Sequence, residues 1–288
     1  MIPPSFDYHA PSSLPEAIAL LADLGDDAKL LAGGHSLLPM MKLRFAAPAH
    51  LVDLNRIDEL RGIREEGGEV VIGAMTRENE LIGSALLAAK VPLLVEAARQ
   101  IADPQVRNRG TIGGDIAHGD PGNDHPAIAL ALDARLVLAG PRGTRTVAAA
   151  DFFHGTYVTE CAADEILAQI RVTPFAPGTG SAYAKLKRKT GDWATAATAV
   201  VLRMAGGVVV EARVALTNLA PTAIRVPAAE AALVGTAPVA TAVEAAAQAA
   251  MAACDPAEDL RGDAEYKRAM AGEMTRRAVR LAAQRCSG

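Results

Sequence analysis

Two short glycine-containing segments constrain the fold of this chain more than any other feature. The first is LLAGGHS at 30–36 and the second is GTIGGD at 110–115. Glycine lets a backbone adopt positive φ and lets a ligand approach the main chain closely, and consecutive exposed N–H groups form a concave site for anions. A hydroxyl group on Ser36 or Thr111 can add a donor to a phosphate oxygen. A fold that brings the two segments together would hold both phosphates of a pyrophosphate.

Either segment alone could be a tight turn at the end of a strand. The phosphate-loop signature GxxxxGK[ST] and the dinucleotide fingerprint GxGxxG are both absent from the sequence, so neither a P-loop nor a Rossmann unit is expected. The pattern that both segments share, with apolar residues, paired glycines and a hydroxyl, is what favours a two-loop anion site over two unrelated turns.

The second segment lies within RGTIGGDIAHGDPGNDHPA at 109–127, where glycines and prolines are too frequent for a helix or a strand. We therefore predict a long loop, followed by a short helix at 126–132. Side chains in this loop could also bind zinc, iron or manganese; they are His118, Asp120, Asp124 and His125. No helical HExxH spacing occurs, so we interpret these side chains as caps for backbone groups and predict no metal site.

The pattern of the whole chain predicts an α+β protein in two parts. The proline- and glycine-rich run TPFAPGTGS at 173–181 is interpreted as the main domain boundary. A smaller antiparallel sheet with helices on one side is expected after it. Helices are predicted at 13–24, 92–102, 227–233, 243–253 and 264–285, and strands at 50–54, 69–73, 135–139, 165–172, 183–188, 194–204 and 208–216, the last two joined by a hairpin at Gly206-Gly207.

Composition excludes several classes of function. The three cysteines form no CxxC pair, so this chain should hold neither a cysteine-bound zinc nor an iron–sulfur cluster. A net charge of -4 argues against nucleic-acid binding. No apolar run approaches the roughly 20 residues that span a bilayer, and no signal peptide is recognised, so a cytoplasmic protein is expected. A Ser–His–Asp hydrolase is not expected, because Ser36 follows His35 directly and no GxSxG elbow occurs.

Several stretches resemble one known family. AGGHSLLP at 32–39, TIGGDIAH at 111–118, PGNDHPA at 121–127 and KLKRKTGDWATA at 185–196 are similar to the flavin-binding subunits of the molybdenum hydroxylases. That family includes xanthine dehydrogenase and aerobic carbon monoxide dehydrogenase, and the resemblance is greatest to the medium subunits of the latter. It extends over the whole chain.

The resemblance implies a fold and a division of the chain. The fold is a two-part FAD-binding domain of the vanillyl-alcohol-oxidase (PCMH) type, followed by a C-terminal α+β domain. The expected bounds are 1–176 for the first domain, with subdomains at about 1–56 and 57–176, and 177–288 for the second. FAD is expected to be bound without a covalent link.

The resemblance also implies which residues contact FAD. Ala32, Gly33, Gly34, His35 and Ser36 would form a first pyrophosphate loop, and Thr111, Ile112, Gly113, Gly114 and Asp115 a second. Asp124 would hold polar groups of the flavin's chain, while Leu167, Lys185 and Trp193 would lie near the flavin ring. Leu31, Leu37, Ile101 and Ala117 complete the expected cofactor site, and no catalytic acid or base is assigned.

Three of these residues have a second interpretation. Trp193 could instead be a core anchor of the second domain. Lys185 lies in a charge run that usually marks a solvated face, although a cation near the flavin N1–C2 region would stabilise the anionic reduced ring. Asp115 would repel a pyrophosphate, and we therefore expect it to contribute its backbone N–H.

The function implied by the resemblance is electron transfer. A small partner subunit would carry 2Fe-2S clusters, and a large partner would carry the molybdenum cofactor and oxidise carbon monoxide to carbon dioxide. FAD on this chain would pass the electrons to an external acceptor such as a quinone. The implied assembly is a dimer of heterotrimers, a heterohexamer, which could sit at the inner face of the cytoplasmic membrane. The alternatives are a flavin subunit for a purine, aldehyde or aromatic substrate, a stand-alone flavin oxidoreductase, and a non-catalytic nucleotide-binding module.

Overall fold

The computed structural model describes residues 2–286. Its N-terminal residues form a small parallel sheet. Strands β1 (Asp7–His9), β2 (Ala28–Leu31) and β3 (His50–Asp53) are ordered β1-β3-β2. Helix α1 (Leu14–Leu24) connects β1 to β2, and its N-terminus is capped by the Ser13 hydroxyl, which accepts the Glu16 N–H at 3.4 Å. Gly25, at φ 59°, ends this helix. Helix α2 (Leu37–Lys42) follows β2 directly after the first glycine segment.

A five-stranded antiparallel sheet forms the centre of the N-terminal part. Its order is β4 (Ile63–Glu66), β5 (Glu69–Gly73), β10 (Ile166–Val172), β6 (Arg135–Gly140) and β7 (Gly143–Ala148). The small hairpin of β8 (Phe153–Gly155) and β9 (Val158–Thr159) lies between β7 and β10 in sequence. The helices between β5 and β6 are α3 (Glu78–Gly83), α4 (Ala85–Lys90), α5 (Pro92–Gln100), α6 (Pro104–Arg107), α7 (Ile112–His118) and α8 (Asp124–Ala131).

The C-terminal part contains a four-stranded antiparallel sheet. Its strands are β11 (Thr179–Leu186), β12 (Ala196–Ala205), β13 (Val208–Thr217) and β14 (Ile224–Arg225), in that order. Helices α9 (Pro227–Leu233), α10 (Ala240–Ala253) and α11 (Ala264–Cys286) cover one face. The other face packs on α5 and α8, and every residue of α8 is buried. The expectation that the helices of this part lie on one side of its sheet is confirmed, and helices of the N-terminal part cover the second face.

The pattern of apolar residues predicted the larger elements well. The predicted bounds of α9 and β5 are the observed ones, and α1, β12, β13 and α11 differ from prediction by two residues or fewer at each end. The prediction of a continuous loop at 109–127 was wrong, since this stretch contains α7 and the start of α8. The predicted boundary run 173–181 overlaps β11, which begins at Thr179.

Close packing between β11 and α11 requires glycine at position 180. A Cβ atom added there would overlap the carbonyl oxygen of Ala282 and lie 2.7 Å from the backbone nitrogen of Cys286. We expect Gly180→Ala to push the helix from the sheet and to lower the free energy of unfolding by about 1–3 kcal/mol. Thermal or urea unfolding measures this loss. The matched control is Gly83→Ala, where nothing lies within 4 Å of an added Cβ, and an equal loss in both variants would contradict the packing argument.

Candidate cofactor-binding site

A cavity of about 700 Å³ lies between the parallel sheet and the rest of the chain. Its volume is in the range of pockets that hold small molecules and cofactors. Sixteen of the expected contact residues line it: Ala32, Gly33, Gly34, His35, Ser36, Leu37, Ile101, Thr111, Gly113, Gly114, Asp115, Ala117, Asp124, Leu167, Lys185 and Trp193. Leu31 and Ile112 are not among the lining residues, and Ile112 is instead buried in the hydrophobic core.

The two glycine segments touch each other in the wall of this cavity. A Cβ atom at Gly33 would lie 2.5 Å from the carbonyl oxygen of Arg109 and 2.8 Å from the Cα of Gly110. A Cβ at Gly114 would lie 3.3 Å from the Cβ of Ala32. Segments far apart in sequence therefore meet backbone to backbone, which is possible only because the contact positions are glycines.

The first segment presents free backbone donors. None of the amides at 33–37 donates a hydrogen bond to another group within residues 2–286. Gly34, at φ 77°, turns the chain into α2. Consecutive unpaired N–H groups at a turn form a site for an anion. This segment therefore matches the predicted phosphate loop in its hydrogen-bonding capacity.

The second segment differs, because most of its amides are already used. The N–H groups of Ile112 and Gly113 donate to the carbonyls of Thr76 (3.1 Å) and Ala74 (2.9 Å). Gly114 N–H donates to the hydroxyl of Thr111 at 3.2 Å, which caps α7. The expected second row of free amides is thus wrong. The Thr111 hydroxyl still has its own hydrogen to donate into the cavity, and the glycines leave the wall free of side chains.

Asp115 does not supply a free backbone donor, contrary to expectation. Its N–H donates to the carbonyl of Thr111 at 3.0 Å, inside α7. Its carboxylate accepts the backbone N–H of His125 at 3.0 Å. Burial raises the pKa of Asp115 to about 7, an effect that the charge of His125 opposes and the carboxylate of Glu78 reinforces. Asp115, which lines the cavity, is therefore an acid that is partly protonated at neutral pH.

A buried ion pair lies behind this wall. Nε2 of His125 is 2.9 Å from a carboxylate oxygen of Glu78, and both side chains are almost fully buried. Burial alone would lower the pKa of His125, but the charge of Glu78 and its hydrogen bond raise that pKa to about 9. Nδ1 of His125 has no partner among the described residues. Glu78 lines the cavity, and nothing in its local sequence marked it as a site residue.

A second buried ion pair joins the N-terminal part to the C-terminal sheet. Nζ of Lys185 lies 2.7 Å from Oδ2 of Asp124, and the hydroxyl of Tyr183 donates to Oδ1 of Asp124 at 2.5 Å. Strand alternation places Lys185 and Lys187 on one face, where both donate to the carbonyl of Gln100. The interpretation of Lys185 as part of a solvated face is wrong. Since Asp124 neutralises its charge, Lys185 does not act on the cavity as an isolated cation.

Trp193 lines the cavity and is 48% exposed, so the core-anchor interpretation is wrong. Leu167 reaches the cavity from β10, where an irregularity in the pairing with β6 falls between Leu167 and Gln169. Such bulges change the direction of a side chain. Ile101 ends α5 and Ala117 lies on α7, and both contribute apolar wall.

The two histidines that could have bound a metal, His118 and His125, have different surroundings. His118 lines the cavity with its ring 5.0 Å from that of Tyr157, whereas His125 is held by Glu78. No group of three or more His, Cys, Asp or Glu side chains is placed to hold a metal within residues 2–286. In the same range, no helix is long and apolar enough to cross a membrane.

The site fits a ligand that carries both phosphates and ring systems. Free amides and the Thr111 hydroxyl are suited to anionic oxygens, and the cavity also has apolar wall suited to rings. The Trp193 ring and the Leu167 side chain are part of that apolar wall. These features are what the FAD predicted from the sequence requires.

Comparisons with known proteins agree with this geometry. The family described as FAD binding domain in molybdopterin dehydrogenase matches residues 4–175, and the family described as CO dehydrogenase flavoprotein C-terminal domain matches residues 181–282. The carbon monoxide dehydrogenase medium chain of Hydrogenophaga pseudoflava is 65% identical over 100% of both chains. The medium chain of Afipia carboxidovorans is 55% identical over 99% of both.

A solved structure is equally similar. Carbon monoxide dehydrogenase from Hydrogenophaga pseudoflava, in a form lacking the Mo-pyranopterin moiety, contains a chain that matches with a TM-score of 0.98 at 68% identity, covering 99% of this chain and 100% of that one. The resemblance inferred from the motifs and the predicted two-domain α+β fold are both confirmed. The chain belongs to the family of FAD-binding subunits of the molybdopterin dehydrogenases that includes the medium chains of carbon monoxide dehydrogenase.

Proposed function

We propose that this chain binds FAD in the cavity without a covalent link and serves as the electron-transfer subunit of a carbon monoxide dehydrogenase. The observation that carries the proposal is the contact of the two glycine segments beside a row of free amides at 33–37. FAD, when bound, supplies the redox chemistry, and the protein supplies binding, orientation and electrostatics. Identity to carbon monoxide dehydrogenase medium chains over the full length supports the choice of enzyme.

Different lining residues would contact different parts of FAD. Amides at 33–37, with the hydroxyls of Ser36 and Thr111, would hold the pyrophosphate. The paired charges of Asp124 and Lys185 would fix polar groups, and Leu167 with Trp193 would flank the ring. Asp124 and Lys185 pair with each other, and Asp124 also accepts the hydroxyl of Tyr183, so the pair would orient the cofactor without adding net charge beside it.

The wider assembly is also proposed. A small partner with 2Fe-2S clusters and a large partner with the molybdenum cofactor would complete a dimer of heterotrimers. The proposed acceptor is a quinone or another respiratory component, and the proposed location is the cytoplasm, where the complex could associate peripherally with the membrane. The domain division at 176/177 is supported by its position in a segment without helix or strand, and the subdomain division near residue 56 by its position at the end of a short 3-10 helix.

The direct test is to purify the full chain, add FAD and remove unbound cofactor. We expect stoichiometric visible flavin absorbance. Co-expression with the genes of the small and large subunits should give a complex that oxidises carbon monoxide. Absence of bound flavin after reconstitution would contradict the cofactor assignment. Activity with a purine, aldehyde or aromatic substrate and none with carbon monoxide would favour another molybdenum hydroxylase.

Gly33→Ala should weaken FAD binding. The added Cβ would overlap the Arg109 carbonyl at 2.5 Å, so the two glycine segments must separate and the free amides move. We expect a rise of at least about tenfold in the FAD dissociation constant, equal to roughly 1.4 kcal/mol, measured by fluorescence titration. Gly83→Ala is the control. Unchanged affinity in Gly33→Ala would show that the contact does not shape the site.

FAD affinity should fall as pH rises above about 7. The pKa of Asp115 is about 7 in the free chain, and a bound pyrophosphate would raise it further, so binding takes up a proton. The affinity for FAD is then highest below pH 7. Above pH 7 it falls by up to roughly tenfold per pH unit, until the pH reaches the pKa that Asp115 has in the FAD complex. His35 and His118, whose pKa values are lowered, titrate below this window.

Asp115→Asn isolates this effect, because an amide oxygen can still accept the N–H of His125. The variant should keep its FAD affinity between pH 7 and 8.5, where the unaltered chain loses it. If both proteins show the same pH profile, Asp115 is not the group that takes up the proton.

A further inference from the structure

A segment of the C-terminal part contacts Asp192, which precedes Trp193 in the cavity lining. Residues 254–263 connect α10 to α11 with no helix or strand, apart from one bridge between Asp259 and Gly262. The buried side chain of Lys267, on α11, holds the segment: its Nζ donates to the carbonyl of Ala257 at 2.8 Å and lies 3.0 Å from Oδ2 of Asp259. The connection is therefore anchored where it meets the helix.

Arg261 extends from this anchored segment to Asp192, the neighbour of Trp193. Nε and Nη2 of Arg261 donate to Oδ1 of Asp192 at 3.1 and 3.0 Å. Arg188 donates to the other oxygen at 3.1 Å and also to the carbonyl of Leu260 at 2.9 Å. Two guanidinium groups thus hold one carboxylate, whose side chain is only 4% exposed.

Two guanidinium groups share the single negative charge of Asp192. Burial alone would raise the pKa of Asp192, but hydrogen bonds from Arg261 and Arg188 lower it. Removing the carboxylate would leave both arginines without this partner, which is costly, whereas removing Arg261 would leave the carboxylate with Arg188 alone. The cluster is consequently a stable link between residues 254–263 and the turn that precedes Trp193.

Trp193 itself is attached to this link twice. Its backbone N–H donates to Oδ1 of Asp192 at 2.9 Å, and the guanidinium carbon of Arg261 lies 5.4 Å from the centroid of its ring. The indole is 48% exposed, follows Gly191 at φ 85° by two residues and lies against Gly122, so about half of its surface is left without packing. Cation–π contact and the shared carboxylate constrain the ring.

We propose that Arg261, acting through Asp192, is a positioning residue that holds Trp193 against the cofactor cavity. The C-terminal part of the chain would thereby complete a site whose phosphate-binding residues belong to the N-terminal part. The proposal rests on the proposed binding of FAD in this cavity.

Trp193 is the only tryptophan in the chain, so its fluorescence reports on this position directly. The test uses the full-length chain without FAD and measures acrylamide quenching and anisotropy in Asp192→Asn and Arg261→Ala. We expect a higher quenching constant and lower anisotropy in both variants. FAD titration of the same proteins should show dissociation constants raised by about tenfold, the size expected for loss of a charge-assisted contact.

Two comparisons separate positioning from general loss of stability. Glu244→Gln removes another surface ion pair, with Nε of Arg276 at 2.7 Å between α10 and α11, and should leave Trp193 quenching unchanged. The double variant of Asp192→Asn with Arg261→Ala should be no worse than either single variant, because both act through one link. If Asp192→Asn does not fold, Arg261→Ala alone, compared with Glu244→Gln, decides the question.

Unchanged quenching and anisotropy in Arg261→Ala would overturn the proposal, as would fully additive effects in the double variant. Failure of the unaltered chain to bind FAD would instead contradict the proposed function. That outcome is distinct, because the quenching measurements require no cofactor.

Discussion

The cavity depends on one backbone contact, that of Gly33 against the carbonyl of Arg109 and the Cα of Gly110. A side chain at this position would separate the two glycine segments and thus the two halves of the phosphate-binding wall. The N–H groups of Ile112 and Gly113 fix the second segment to residues 74–76. Helix α2 fixes the first, which leaves the amides at 33–37 exposed to the cavity. The hydrogen bonds that fix the second glycine segment thus leave the amides of the first segment free to bind a ligand.

Charge in the walls is arranged in pairs. Glu78 with His125 and Asp124 with Lys185 are buried ion pairs, and such pairs are tolerated only when both partners are present. Asp115 also lines the cavity but is in no ion pair within the described part of the chain, and burial raises its pKa to about 7. A protonated Asp115 removes the repulsion that an acidic residue beside a pyrophosphate would otherwise cause. The C-terminal part supplies Lys185 and Tyr183 from β11 and Trp193 from the connection to β12, so both parts of the chain are needed for the site.

Local patterns in the sequence predicted the helices and turns whose structure depends on residues close to them in the chain. The capped helix α1, the Gly206-Gly207 hairpin and helix α9 follow from spacing and turn residues, and the motifs led to most of the residues that line the cavity. Helix α7 was missed because its glycines are poor helix formers, and tertiary bonds to residues 74–76 compensate for them. Glu78, Asp192 and Arg261 were missed because their roles come from partners 47 and 69 residues away, which no local pattern reveals.

The most direct measurement is hydrogen exchange at the backbone amides, with and without FAD. We predict that amides at 33–37 exchange rapidly in the free chain and become protected when FAD binds. The amides of Ile112, Gly113 and Asp115 should be protected in both states, because they already donate to protein carbonyls. Protection that appears on FAD binding at 112–115 and not at 33–37 would contradict the assignment of the first glycine segment as the phosphate-binding loop.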